Sequence, residues 1–141
     1  MVITGKAYWA WVTVPNTTYE PAYTIDVVLE DEQADKLTEE GYNVKTKDYG
    51  RSITIKRKVS KKDGTQRPVP KLMDATKQPF NAAVGNGSDV KVQCRPWEME
   101  INKKMIRGFE LQAVQVLSLV PYAGADGEEF DIEDFDAEGE L

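Results

Sequence analysis

The chain has 141 residues, 40% hydrophobic and 30% charged, with a formal net charge of −6, one cysteine and no histidine. That length supports one globular domain and a tail, not two cores. No apolar run approaches the ~20 residues of a membrane helix, Met1–Lys6 lacks the order of a signal peptide, and a lone Cys94 without histidine excludes an internal disulfide, a conventional zinc site and a Cys/His nucleophile pair.

Taken in chain order, Lys6–Val14 alternates as a first strand, with Ala10, Val12 and Val14 on one face and Trp9, Trp11 and Thr13 on the other. Two tryptophans on one face form either a core pair or an exposed platform on which bases stack. The stretch Pro15–Pro21 breaks the strand, and Tyr23–Leu29 returns as its hairpin partner. Asp31–Gly41 has the marks of a short helix: an Asp31 cap, acids in the first turn, Ala34 and Leu37 three apart, and a closing glycine. Its outer carboxylates read as a solvated face. Strands over Tyr42–Lys47 and Arg51–Val59 flank a turn at Asp48–Gly50. Lys61–Gly64 makes a second turn, and Gln66–Pro70 an extended connection.

Charge is segregated along the chain. Lys45–Lys77 holds eleven basic side chains against three acidic ones, a local excess of +8 inside an acidic protein. On the strand from Ser52 to Val59, Thr54, Lys56 and Lys58 share one face, while Ile53, Ile55, Arg57 and Val59 share the other, which favours Lys56 and Lys58 over Arg57 as exposed cations. Asp89–Arg95 then alternates with Val90, Val92 and Cys94 inward, making Cys94 a buried strand thiol. Met105–Tyr122 ends in the apolar run Val114–Val120, as a strand buried on both sides would. Five or so strands and one helix predict a mainly β chain, an OB-fold-like small antiparallel barrel over residues 1–125. Residues 126–141 carry nine carboxylates and no basic group, an acidic tail predicted to be disordered, with Phe130, Ile132, Phe135 and Leu141 as its apolar breaks.

A basic strand beside aromatic rings suits single-stranded nucleic acid: cations hold phosphates, and flat side chains accept any base because every base has a π-face. The candidate stacking residues are Trp97, Trp9, Trp11, Tyr49 and Tyr42. The candidate phosphate contacts are Arg51, Lys56, Lys58, Lys61, Lys62, Arg67, Arg95, Lys103, Lys104 and Arg107; Tyr19, Tyr23 and Tyr122 read as structural. An enzyme would need chemistry that is hard to find here. No phosphate-binding glycine loop occurs, and Asp131–Asp136 lacks the glycine and late glutamate of a calcium loop. The expectation is a non-enzyme using no cofactor and no metal. The rival reading is a protein-protein adaptor or a DNA-mimic module acting through the acidic tail.

The segment Gly85–Trp97, continued by Gly108–Leu117, resembles the closing strand pair of bacteriophage single-stranded DNA-binding proteins of the short-tailed phage type. Asp74–Lys77, the opening Gly5-Lys6-Ala7-Tyr8 and the acidic tail fall where that family has similar features. The resemblance implies an OB-fold protein that coats and protects single-stranded DNA during phage DNA replication and recombination in the cytoplasm of the infected host cell. It implies a tail that competes with DNA and recruits replication proteins (polymerase, helicase/primase), with Phe130, Phe135 and Leu141 as docking residues, and a base-stacking ring at Pro96-Trp97. The chain departs from the family in its short Gly41–Arg51 loop and in ending on Leu141 instead of an aromatic residue. No membrane role is expected, and a homodimer is left open.

Overall fold

The computed structural model describes residues 1–121. Tyr122, the domain boundary at 125/126 and the acidic segment with Phe130, Phe135 and Leu141 lie outside the described residues. The elements are β1 (Val2–Asn16), β2 (Ala22–Val28), α1 (Asp31–Glu39), β3 (Lys45–Lys47), β4 (Gly50–Lys58), β5 (Lys71–Met73), β6 (Ser88–Ile101) and β7 (Lys104–Ser118). They form one sheet in the order β3-β4-β2-β1-β6-β7-β5, which a parallel bridge between Lys56 of β4 and Glu110 of β7 closes on itself. The closed part, β1-β2-β4-β7-β6, is a five-stranded barrel with the OB-fold connection pattern. The short strands β3 and β5 are additions along its seams.

Alternation explains why these segments close. Ile25 and Val27 of β2, Ile53 and Ile55 of β4, Val90, Val92 and Cys94 of β6, and Leu111 and Val114 of β7 all point into one core. Each such side chain contributes roughly 1.5–3 kcal/mol on leaving water, so the barrel interior is the main source of stability. Cys94 belongs to this interior. Burial pushes its thiol up to about 11, so almost no thiolate exists near neutrality. A maleimide should therefore leave the native protein unlabelled and label it fully in denaturant; rapid labelling of the native protein would show that the barrel opens at β6.

Several local expectations are corrected. The residue preceding the helix is Glu30 in extended conformation with no side-chain cap, so Asp31 is the first helical residue and acts through its charge at the N-terminus. Ala34 and Leu37 are buried as the pattern requires, and Gly41, at φ 93, ends the helix in the left-handed region. The Tyr42–Lys47 strand shrinks to Lys45–Lys47 because Tyr42 packs sideways onto Phe109, their rings 4.3 Å apart. The run Val114–Val120 is not buried on both sides. Val114 and Val116 are inside, whereas Leu117, Leu119 and Val120 are exposed where β7 leaves the barrel. Of the face that Val12 and Val14 share by alternation, Val12 is buried and Val14 is exposed.

Strand β6 runs six residues past the expected Arg95. Strand β1 begins opposite Gln93, and the Met1 carbonyl accepts from the Cys94 N–H, so beyond that point β6 pairs with β7 alone. Apart from a parallel bridge between Arg107 and Tyr42 at its root, the two continue as a free ribbon, closed by a turn whose Asn102 and Lys103 both have positive φ. Every residue from Arg95 to Arg107 is exposed. Pro96 is tolerated because its side of the ribbon carries no further strand.

Candidate nucleic-acid interface

A groove of about 800 Å³ opens beside the β4–β7 seam. It is lined by Lys56, Arg57, Lys58, Lys61, Lys62, Arg67 and Arg95, with two carboxylates, Glu20 and Glu110, and with Trp97 and Met99 on the wall. Seven cations facing two anions leave a surplus of about five positive charges. The arrangement follows from register: Lys56 stands opposite Glu110, Glu110 opposite Arg95, and Gly108 opposite Trp97, so neighbouring strands hand the same outer face from β4 to β7 to β6.

Glu110 is the hub of that surface. Its carboxylate lies 2.6 Å from Arg95 Nη2, 3.5 Å from Arg57 Nε and 3.6 Å from Arg67 Nε, with the side chain only 19% exposed. One carboxylate cannot neutralise three guanidiniums. Arg57 also donates from Nη1 to the Pro68 carbonyl and Arg67 to the Ser60 carbonyl, so both brace the 60–68 loop that carries Lys61 and Lys62. Arg95, 70% exposed, keeps most of its guanidinium in solvent. Lys58 is held loosely, 3.6 Å from Glu20 at the surface, a contact worth little.

Trp97 lies across Gly108 of the facing strand. A Cβ at position 108 would collide with the indole, so only glycine lets the ring lie flat on the ribbon. One face of the indole therefore rests on backbone, and Trp97 as a residue is 38% exposed at the groove wall.

The outer face of β1, β2 and β4 adjoins the groove. Trp11 sits opposite Thr24, and Thr24 opposite Lys56, placing Trp11 in the same row as the groove's first lysine. Trp9 occupies a β-bulge with φ 51, a strained conformation for an aromatic residue, held by its N–H donating to Asn86 Oδ1 at 2.8 Å. The residue is 58% exposed. Beyond it Tyr8 and Tyr49 stack at 4.1 Å, and the Tyr49 and Thr54 hydroxyls donate to the two oxygens of Asp26. Burial, and then the bond to the Asp26 carboxylate and its charge, raise the Tyr49 hydroxyl above its ordinary range. It stays a donor at neutral pH.

Neither a protein-family model nor a curated protein sequence matches the chain. Solved structures do match it in shape. The gp2.5 protein, a single-stranded DNA-binding protein encoded by bacteriophage T7, superposes with a TM-score of 0.65 at 16% identity, covering 100% of this chain and 98% of its own. The single-stranded DNA-binding protein from bacteriophage Enc34 gives a TM-score of 0.62 at 15% identity, covering 95% of this chain and 88% of its own. The same Enc34 protein in complex with single-stranded DNA gives 0.62 at 13% identity over 86% and 87% of the two chains. This chain has their fold.

The candidate residues fall into three places. Trp97, Lys56, Lys58, Lys61, Lys62, Arg67 and Arg95 are gathered in the groove. Trp9, Trp11 and Tyr49 stand on the adjoining face. The others lie apart: Arg51 is tied to Asp35 at 2.8 Å and Asp31 at 3.7 Å on the helix, and Tyr42 has one ring face on Phe109. Lys103 and Lys104 are at the ribbon tip, and Arg107 pairs with Glu98 on the ribbon's far face. Sequence reasoning missed Tyr8, Arg57, Met99 and Glu110. Strict alternation sets Tyr8 opposite to Trp9 and Trp11 until the bulge at Trp9 reverses the phase. Arg57 has inward parity, but at the barrel end its long side chain reaches the groove.

Proposed function

We propose that this protein binds single-stranded DNA without strong sequence preference, coating and protecting it during phage DNA replication and recombination. The observation that carries the reading is the groove that sets a surplus of about five positive charges against Trp97. Phosphates and unstacked bases are the one common ligand needing both, and nothing in the groove demands a base-specific code. The fold shared with phage proteins that bind single-stranded DNA supports it. The test is a fluorescence titration with oligo(dT) at two salt concentrations. Trp9, Trp11 and Trp97 are all exposed, so binding should quench emission; an unchanged spectrum at low salt would sink the proposal.

The acidic residues 126–141 act on the same groove. The last described residue, Pro121, bridges to Val84, and Val120 accepts from the Gly85 N–H, next to Asn86 that holds Trp9. The described part of the chain thus ends close to one end of the aromatic face. Sixteen residues can extend to at most roughly 50 Å, ample for a body whose radius of gyration is about 14 Å. Nine carboxylates tethered at an effective concentration on the order of millimolar compete weakly with DNA. The same stretch recruits replication proteins such as a polymerase or a helicase/primase through Phe130, Phe135 and Leu141. Removing residues 126–141 should tighten DNA binding, most at low salt, and abolish that recruitment. Equal affinities of full and truncated chains in dilute salt would leave the segment only its docking role.

A further inference from the structure

Past Ala7, strand β1 loses its neighbour on the β6 side. The ladder between the two ends at Ala7 opposite Ser88, so the next N–H that points that way, from Trp9, meets no strand. The loop before β6 supplies what the ladder lacks. The Gly87 N–H donates to the Ala7 carbonyl at 2.8 Å, and the Trp9 N–H donates to Asn86 Oδ1 at 2.8 Å. The Asn86 side chain thus stands in for one more residue of β6. The loop is itself tied down from the other side: the Gly85 N–H donates to the Val120 carbonyl at 2.8 Å, and the buried Ser88 hydroxyl donates to the Gly85 carbonyl and accepts from the Val120 N–H, both at 2.8 Å. Asn86, between these anchors, is exposed.

The bulge that this acceptor holds changes how many rings β1 keeps outside. Ala7, Ala10 and Val12 all turn to the core, which strict alternation forbids because positions 7 and 10 differ in parity. Trp9, at φ 51, is the extra residue that resets the phase. Tyr8 and Trp11 therefore both face out, opposite Asp26 and Thr24, with the exposed Trp9 between them. Three rings within four residues stay off the core, where a regular strand would leave two. Resting on the reading of this face as part of a single-stranded DNA site, we propose that Asn86 is a positioning residue of that site: its side-chain carbonyl holds the bulge that presents Trp9 to a base. A left-handed backbone is unfavourable for a bulky side chain and persists only where its surroundings fix it. A ring fixed in advance does not have to be ordered when DNA arrives. Without the acceptor the Trp9 N–H has no partner and the ring leaves its place, so affinity falls although every aromatic and cationic side chain remains.

The test measures what Trp9→Ala costs in oligo(dT) affinity in three backgrounds. In the otherwise wild-type chain the cost should be roughly tenfold, the lower part of the range for one stacked base. Asn86→Ala alone should weaken binding roughly threefold, within the range for coupled residues. Adding Trp9→Ala to it should then cost only about threefold more, because the ring is already out of place. Asn86→Asp keeps an acceptor for the Trp9 N–H, so in that background Trp9→Ala should again cost its full tenfold, whatever the added charge does to affinity by itself. The slope of log K against log salt should be the same for Asn86→Ala and wild type, since no phosphate contact is lost. An equal cost of Trp9→Ala in all three backgrounds would overturn the proposal, for Asn86 would then touch the strand itself or serve only the fold. Wild-type affinity in either single alanine variant would overturn it too, as would a cost in Asn86→Asp as small as in Asn86→Ala. Failure of the wild type to bind DNA at low salt would instead refute the reading of the site on which the proposal rests.

Discussion

Replacing Trp97 by alanine should weaken single-stranded DNA binding by about 1–3 kcal/mol, the usual range for one stacked base, and leave the melting temperature nearly unchanged. The asymmetry follows from where the ring sits. Trp97 lies on the free ribbon, over Gly108, outside the barrel interior, so its removal opens no cavity. A core tryptophan would cost ~3–5 kcal/mol of stability. Gly108→Ala provides the companion measurement: the added methyl group meets the indole and must lift it from the ribbon. That variant should lose affinity while keeping the tryptophan. Undiminished affinity in both variants would remove Trp97 from the site, and a large fall in melting temperature on Trp97→Ala would make it structural.

Binding should also fall steeply with salt. With about five uncompensated charges in the groove, counterion release predicts a slope of log K against log salt of roughly −3.5, taking ~0.7 per phosphate for single strands. Between 50 and 200 mM salt that is about a hundredfold loss. Lys56→Gln and Lys58→Gln should each reduce the slope by ~0.7, because both stand on the outer face of β4 and neither is ion-paired with Glu110. Arg51→Gln should not change it, since Arg51 is spent on Asp31 and Asp35. A slope near zero would leave the groove's cations without a role in DNA binding.

Much of this was legible in the residues themselves. The inward sets Val90-Val92-Cys94 and Ile53-Ile55 came from alternation, because a strand with one buried face repeats every second residue. The turn at Lys61–Gly64, the helix with Ala34 and Leu37 inside, and the basic excess over Lys45–Lys77 came from local chemistry that needs no partner to be recognised.

What the tertiary structure alone decided is which of those cations and rings meet. Arg95 and Trp97 are separated from Lys56 by about 40 positions of sequence and joined by the β4–β7 closure, a single parallel bridge with no local signature. The same closure sets Glu110 among Arg57, Arg67 and Arg95, and Arg57 and Arg67, of which only Arg67 was an expected phosphate contact, brace a loop. The bulge at Trp9 depends on an acceptor from Asn86, 77 residues away, and it reverses the alternation that would otherwise bury Tyr8. The ribbon beyond Arg95 likewise became exposed only because β1 starts opposite Gln93. Periodicity reports which side of a strand is wet when a neighbour covers the other; where the neighbour ends is set by pairing between distant segments, and that information is spread over the whole chain.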